Sequence, residues 1–182
     1  MKIGIVVGSI REDRKGRMVG DWVQAQVAGR DDAAFEIVDL KEYDVPLLTA
    51  AVLPSSANRQ YDSEAVRRWS AAIDACDGFI FVTPEYNHGV PGAFKNAVDT
   101  LGPEWTGKTV GFVSYGADGG IRAVEQWRQI MVNFHIADVR GQVAISTFAE
   151  FDDEGFKPLE RRSIDLGNLV DQLLAATARQ AR

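Results

Sequence analysis

The chain has 182 residues, 46% of them hydrophobic and 25% charged, which is enough for one sizeable core and ordinary for a globular protein. A formal charge of −6 argues against a general nucleic-acid binder, and a single cysteine, Cys76, excludes an internal disulfide. With two histidines there is no metal-ligand spacing, and no stretch reaches the ~20 apolar residues of a membrane span.

Met1-Lys2 runs straight into Ile3-Gly4-Ile5-Val6-Val7, an apolar stretch too short for a signal-peptide core, so a cytoplasmic protein is expected. Short β-branched runs predict strands at 2–7, 35–39, 78–83, 109–114 and 142–146. Helices are expected between them at 17–28, 63–74, 93–101 and 121–134. A final helix over 157–178 would pack Leu159, Ile164, Leu166, Leu169, Val170, Leu173 and Leu174 on the sheet. Near-continuous apolar strands read as buried on both faces. The expectation is a single α/β domain over 1–182, a doubly wound five-stranded parallel sheet with helices on both faces. The loop 43–62 is long enough to form a functional rim and too short for a domain boundary.

The first expected strand ends at Gly8-Ser9-Ile10-Arg11, and Arg11, Arg14, Lys15 and Arg17 outnumber Glu12 and Asp13 before the helix. Helix-start N–H groups with forked cations suit a phosphate. Ser9 can donate a hydroxyl, and Gly8 permits close backbone approach. A solvated charged loop is the bland alternative. The dinucleotide fingerprint G-x-G-x-x-G and the P-loop are both missing, which leaves a mononucleotide phosphate.

After the third strand, Thr83-Pro84-Glu85-Tyr86-Asn87 sets an aromatic ring beside an amide and a carboxylate, at the sheet edge where ligands bind. After the fourth comes Ser114-Tyr115-Gly116-Ala117-Asp118-Gly119-Gly120, whose glycines let backbone approach a ligand. The helix that follows turns its N–H groups and dipole towards that loop. A left-handed turn before a helix accounts for one of those glycines, but not for three.

These three loops resemble the flavin loops of the NADPH-dependent FMN reductase family, the flavodoxin-like quinone, azo-dye and chromate reductases. The resemblance covers residues 2–146 and implies the flavodoxin-like strand order 2-1-3-4-5. It implies bound FMN, with Ser9, Arg11 and Arg17 on the phosphate. Pro84, Glu85, Tyr86, Asn87, Ser114, Tyr115, Gly116, Gly119 and Gly120 would surround the ring, through backbone N–H groups of the 85–87 loop among others. NADPH or NADH would be the co-substrate, with Arg14 and Lys15 left between a 2′-phosphate and water. Hydride would pass through flavin N5 in a ping-pong cycle, with no catalytic side chain, Glu85 included. Quinones, azo compounds, free flavins and metal oxyanions are the acceptors implied. A homodimer or tetramer is implied as well, built on apolar residues of 93–101 and 121–134.

Asn96 is expected to brace its loop, and Cys76 to be a small buried residue. Trp105 is expected either to stack at a substrate mouth or to seal a dimer. Trp127 and Phe134 would pack in a core or a subunit interface, and His135 would cap its helix. His88 faces substrate, a neighbouring subunit or only water. Two other functions remain open: a one-electron flavodoxin-like carrier, and a flavin-binding module without turnover.

Overall fold

The computed structural model describes residues 1–180. Strands β1 (Lys2–Val7), β2 (Ala34–Asp39), β3 (Gly78–Pro84), β4 (Thr109–Gly116) and β5 (Ala137–Ser146) pair in parallel in the order β2-β1-β3-β4-β5. Between them run α1 (Lys15–Val27), α2 (Glu64–Asp74), α3 (Gly92–Asp99) and α4 (Ile121–Val132), with α5 (Arg161–Gln180) last. No described helix is long and apolar enough to cross a membrane.

Side chains alternate along each strand, and both faces are covered. Val6, Phe79, Phe81, Val110 and Phe112 pack with α2, α3 and α4, while Ile3, Ile5, Ile80, Val82 and Val113 pack with α1 and α5. Double burial is why the central strands β1, β3 and β4 carry no polar alternation in the sequence. The α2–α3–α4 layer is aromatic. Trp69, Trp105 and Trp127 are fully buried in it, their indole N–H groups donating to the Ala97 carbonyl (2.8 Å), the Val98 carbonyl (3.1 Å) and Thr83 Oγ1 (2.9 Å). Burial of an indole requires such a partner. Trp105 therefore serves neither role expected of it, because its ring meets Phe79 and Phe81 in the core. Phe134 packs half-buried on the same layer, and Cys76 is buried, which pushes its thiol pKa up.

Element ends depart from expectation for identifiable reasons. β5 begins at Ala137 instead of 142, its early residues Asp138 and Arg140 being polar and exposed, as suits a sheet edge. α5 begins at Arg161, which leaves Leu159 before the helix and 47% exposed; Ile164, within the helix, faces outward at 67% exposed, and the apolar stripe opens at Leu166. Before it, a hairpin absent from the expectation, β6 (Phe151–Asp152) and β7 (Gly155–Phe156), sets Phe156 edge-on to Trp22 of α1 at 5.7 Å. α4 stops at Val132 with Asn133 as its cap, leaving His135 beyond the cap, exposed, at φ 55°.

One buried ion pair fastens α5. Arg162 forks onto Glu150 at 2.7–3.2 Å, and the fully buried carboxylate also accepts the N–H groups of Ser146 (3.1 Å) and Leu159 (3.1 Å). Burial pushes the Glu150 pKa up, but Arg162 and the two N–H groups outweigh it and hold the carboxyl below its ordinary range. The network's contribution is thus complete above the unfolded value of about 4.3 and is lost as pH falls through the lower folded value. Glu150→Gln should cost about 2 kcal/mol in urea unfolding at neutral pH. The gap to the wild-type protein should narrow below about pH 4.

Candidate functional site

The first turn of α1 is electrostatically unusual. Arg14 stands at its N-cap, Lys15 and Arg17 follow, and the turn holds no acidic residue and no side-chain cap. Cations at the positive end of a helix dipole are unfavourable unless anions answer them. Asp39, buried at the end of β2, answers two of them. Arg14 forks onto its oxygens at 2.7 and 2.5 Å and donates to the Ser9 carbonyl at 2.6 Å. Arg17 donates to Asp39 at 3.2 Å and to Asp21 at 2.9 Å. Arg17, expected on a phosphate, is thus engaged by carboxylates, and Arg14, left between a 2′-phosphate and water, forks onto Asp39. Arg11 and Lys15 have no carboxylate partner among the described residues. They lie over the rings of Tyr86 (5.9 Å) and Phe151 (4.4 Å). Gly8 has an internal reason to be glycine: an added Cβ would sit 2.0 Å from the Phe94 ring.

Beyond β3 the chain turns tightly. Tyr86 and Gly89 exchange N–H···O bonds at 3.0 Å, and the two residues between them, Asn87 and His88, both hold positive φ (49° and 65°). This is the mirror-image hairpin turn, in which the two central amides stay unbonded. The Glu85 amide is also taken, by the Tyr115 carbonyl at 3.0 Å. The N–H groups of Glu85 and Tyr86, expected to face a ring, are therefore committed, whereas those of Asn87 and His88 have no partner among the described residues. Tyr86 ties this loop to the first one, its hydroxyl lying 3.0 Å from Ser9 Oγ.

Glu85 turns inward. Its carboxylate, 8% exposed, accepts Arg122 N–H at 3.0 Å and the Arg122 guanidinium at 2.8 Å. It thereby caps α4, whose own N-cap, Gly120, has no side chain to do so. The helix dipole expected to serve the ligand is thus already answered. One turn on, Gln126 donates to the His88 carbonyl (2.8 Å) and accepts Val90 N–H (3.1 Å). Arg122 and Gln126 were not legible as site residues, since they sit inside a helix and belong to no motif.

The loop after β4 folds inward as well. Gly119 and Gly120 are buried at φ 77° and 75°, and a Cβ on Gly120 would meet Ser114 Cβ and Tyr115 N at 2.9 Å. Ser114 is buried and bonds the Gly119 carbonyl at 2.7 Å. Tyr115 sends its hydroxyl beside Gly16 of α1, where burial pushes its pKa up and a hydrogen bond with Ser9 acts against that. Pro84 is buried and pairs with Tyr115 across the strands, while Gly116 packs against Glu85 Cβ.

Asn96 braces a different loop from its own, donating to the Pro46 carbonyl (2.8 Å) and accepting Leu48 N–H (2.9 Å). That long loop encloses a cavity of about 560 Å³ lined by Leu48, Val52, Tyr61 and Thr100, and none of the expected site residues borders it.

The donor set at the sheet edge fits a phosphate-bearing planar ligand. It combines two unpaired cations and an uncapped helix start with the Ser9 hydroxyl and two free amides.

Residues 1–150 match the family model described as NADPH-dependent FMN reductase. Over 129 residues the chain is 43% identical to the NAD(P)H-dependent FMN reductase ntnL of Nectria sp., covering 69% of this chain and 64% of that protein. It is 32% identical over 154 residues to the NAD(P)H-dependent FMN reductase LOT6 of Saccharomyces cerevisiae, covering 80% of each. A quinone reductase of Pseudomonas putida is 33% identical over 71% of this chain and 69% of its own length. Among solved structures, the flavoenzyme NAD(P)H:(acceptor) oxidoreductase FerB of Paracoccus denitrificans superposes with a TM-score of 0.76 at 22% identity, covering 98% of both chains.

The electrostatics of the first loop make a testable demand. Asp39→Ala should lower unfolding stability by about 3 kcal/mol, because it strands the part-buried Arg14 guanidinium at a positive helix end and takes one carboxylate from Arg17. A urea midpoint within error of the wild-type value would contradict this account of the loop.

Proposed function

The chain belongs to the NADPH-dependent FMN reductase family, and on that premise we propose that it is an NAD(P)H-dependent oxidoreductase with FMN as cofactor and small-molecule acceptors, working by ping-pong exchange. One observation carries the placement of the cofactor: an α1 start that is cationic, free of acid and uncapped, beside a turn with two unbonded amides. When bound, FMN would supply the redox chemistry, a two-electron exchange between the pyridine nucleotide and the acceptor.

The residues of this chain bind and orient. Arg11 and Lys15 offer charge to the phosphate with the N–H groups of the first α1 turn, and Ser9 offers its hydroxyl. Asn87 and His88 offer main-chain donors to the polar edge of the ring. Tyr86, bonded to Ser9, links the two ends. Arg14 and Arg17 act at one remove, holding the loop to Asp39. Glu85 is committed to Arg122 and carries no proton for the reaction. Relatives named quinone reductase and NADPH azoreductase support aromatic, two-electron acceptors.

The proposal includes a cytoplasmic homodimer or tetramer. On α3 the apolar residues Phe94, Ala97 and Val98 are buried in the core. Exposed apolar residues that could contribute include Ile121 and Val132 on α4, Leu47, Val52 and Leu53 on the long loop, and Phe148.

Purified protein should be yellow or take up FMN, bleach with NADPH or NADH, and recolour with a quinone. Yellow protein inert to both nucleotides would favour the one-electron carrier, and failure to bind FMN would reject both flavin readings. Arg11→Ala should weaken FMN about tenfold in fluorescence titration. An unchanged dissociation constant would remove Arg11 from the site. Sedimentation at micromolar concentration should give a dimer or larger species, and a monomer would contradict the oligomeric part.

A further inference from the structure

We infer that Gln126 is a positioning residue for the flavin, acting through the turn at residues 86–89; this rests on the function proposed above. Both ends of its amide are used on that turn, Nε2 donating to His88 and Oε1 accepting from Val90. The turn needs such a hold. Asn87 and His88 are successive non-glycine residues in the left-handed region, a conformation that persists only where neighbouring structure imposes it.

α4 imposes it from one face. Arg122 and Gln126 lie four residues apart, so their side chains emerge on the same side of the helix. Arg122 grips Glu85 before the turn, and Gln126 grips His88 and Val90 on its far side. Next to Gln126, Trp127 holds Thr83 at the end of β3. The His88 carbonyl and the Asn87 and His88 amides belong to one short, closed loop. Fixing that carbonyl therefore fixes the direction in which the two unbonded amides are offered. Gln126 thus sets the donors that meet the ring, without touching it.

The consequence differs from plain stabilisation. A donor held against the reduced ring raises the flavin's midpoint potential, and a donor left free to wander does so less. Gln126→Leu removes both hydrogen bonds, while Gln126→Glu keeps the acceptor for Val90 and loses the donor to His88. FMN affinity, by fluorescence titration, and the midpoint potential, by dye-coupled titration, should be measured on both variants and on the wild-type protein.

Expected are a dissociation constant raised about tenfold in Gln126→Leu and a lower potential in both variants. The apo proteins should also lose hydrogen-exchange protection at the Tyr86 and Gly89 amides while keeping it in β3. Should Gln126→Leu fail to fold, Gln126→Glu carries the same test. Wild-type affinity and potential in the folded variants would overturn the inference and leave the functional reading intact. Wild-type protein that binds no FMN would overturn both.

Discussion

Asp39 holds a cationic loop against the positive end of a helix, and the geometry of the sheet edge follows from that interaction. Without it, Arg14 and Arg17 would repel each other and the α1 dipole, and the segment from Ser9 to Gly16 would have little reason to keep one path. Asp39 sits at the end of the edge strand β2, so the pairing of β2 with β1 delivers the carboxylate to the loop. The neutralisation is incomplete. Among the described residues, Arg11 and Lys15 stay without carboxylate partners, and the first-turn amides stay without a side-chain cap. A loop held by two of its cations and open through the other two is suited to an anion that arrives from solution.

Two of the helices whose N-termini reach this edge, α1 and α4, are treated in opposite ways. α4 has its positive end closed by Glu85, a residue of the neighbouring loop, and so serves to anchor backbone. α1 has its positive end left open. The same physical feature thus does two jobs, set by whether a carboxylate lies within reach. The aromatic layer beneath stiffens both, through Phe94 under Gly8 and Trp127 under Thr83. Closely packed rings deform little, so the loops above them inherit a fixed floor.

The architecture was legible because doubly buried strands such as Ile3 to Val7 and Phe79 to Val82 leave continuous apolar runs. Polar edge residues at the start of β5 hid its extent, and the two-residue strands β6 and β7 were too short to carry any pattern. The positions of the three loops were also legible, but the duties within them were not. Sequence shows that Arg11, Arg14, Lys15 and Arg17 are basic; it does not show which of them Asp39 claims from across the sheet. It shows three glycines near residue 120, but not that Ser114, Tyr115 and Ala144 crowd two of them from inside the protein. Gln126 and Glu85 gain their roles from long-range contacts, which no local motif records.

The contrast between the free groups at this edge bears on how such a site can exist without ligand. Asn87 and His88 are exposed, so water can serve their amides until something replaces it, and leaving them unbonded is cheap. A closed four-residue turn produces two such donors by its own geometry, at the cost of roughly 1 kcal/mol of backbone strain at each central residue. Tyr115 is the reverse case, its hydroxyl shut away beside Gly16 with Ser9 as its partner. The strain of the turn must be met by contacts already present in the protein. The clamp that α4 places on the 86–89 turn is of that kind.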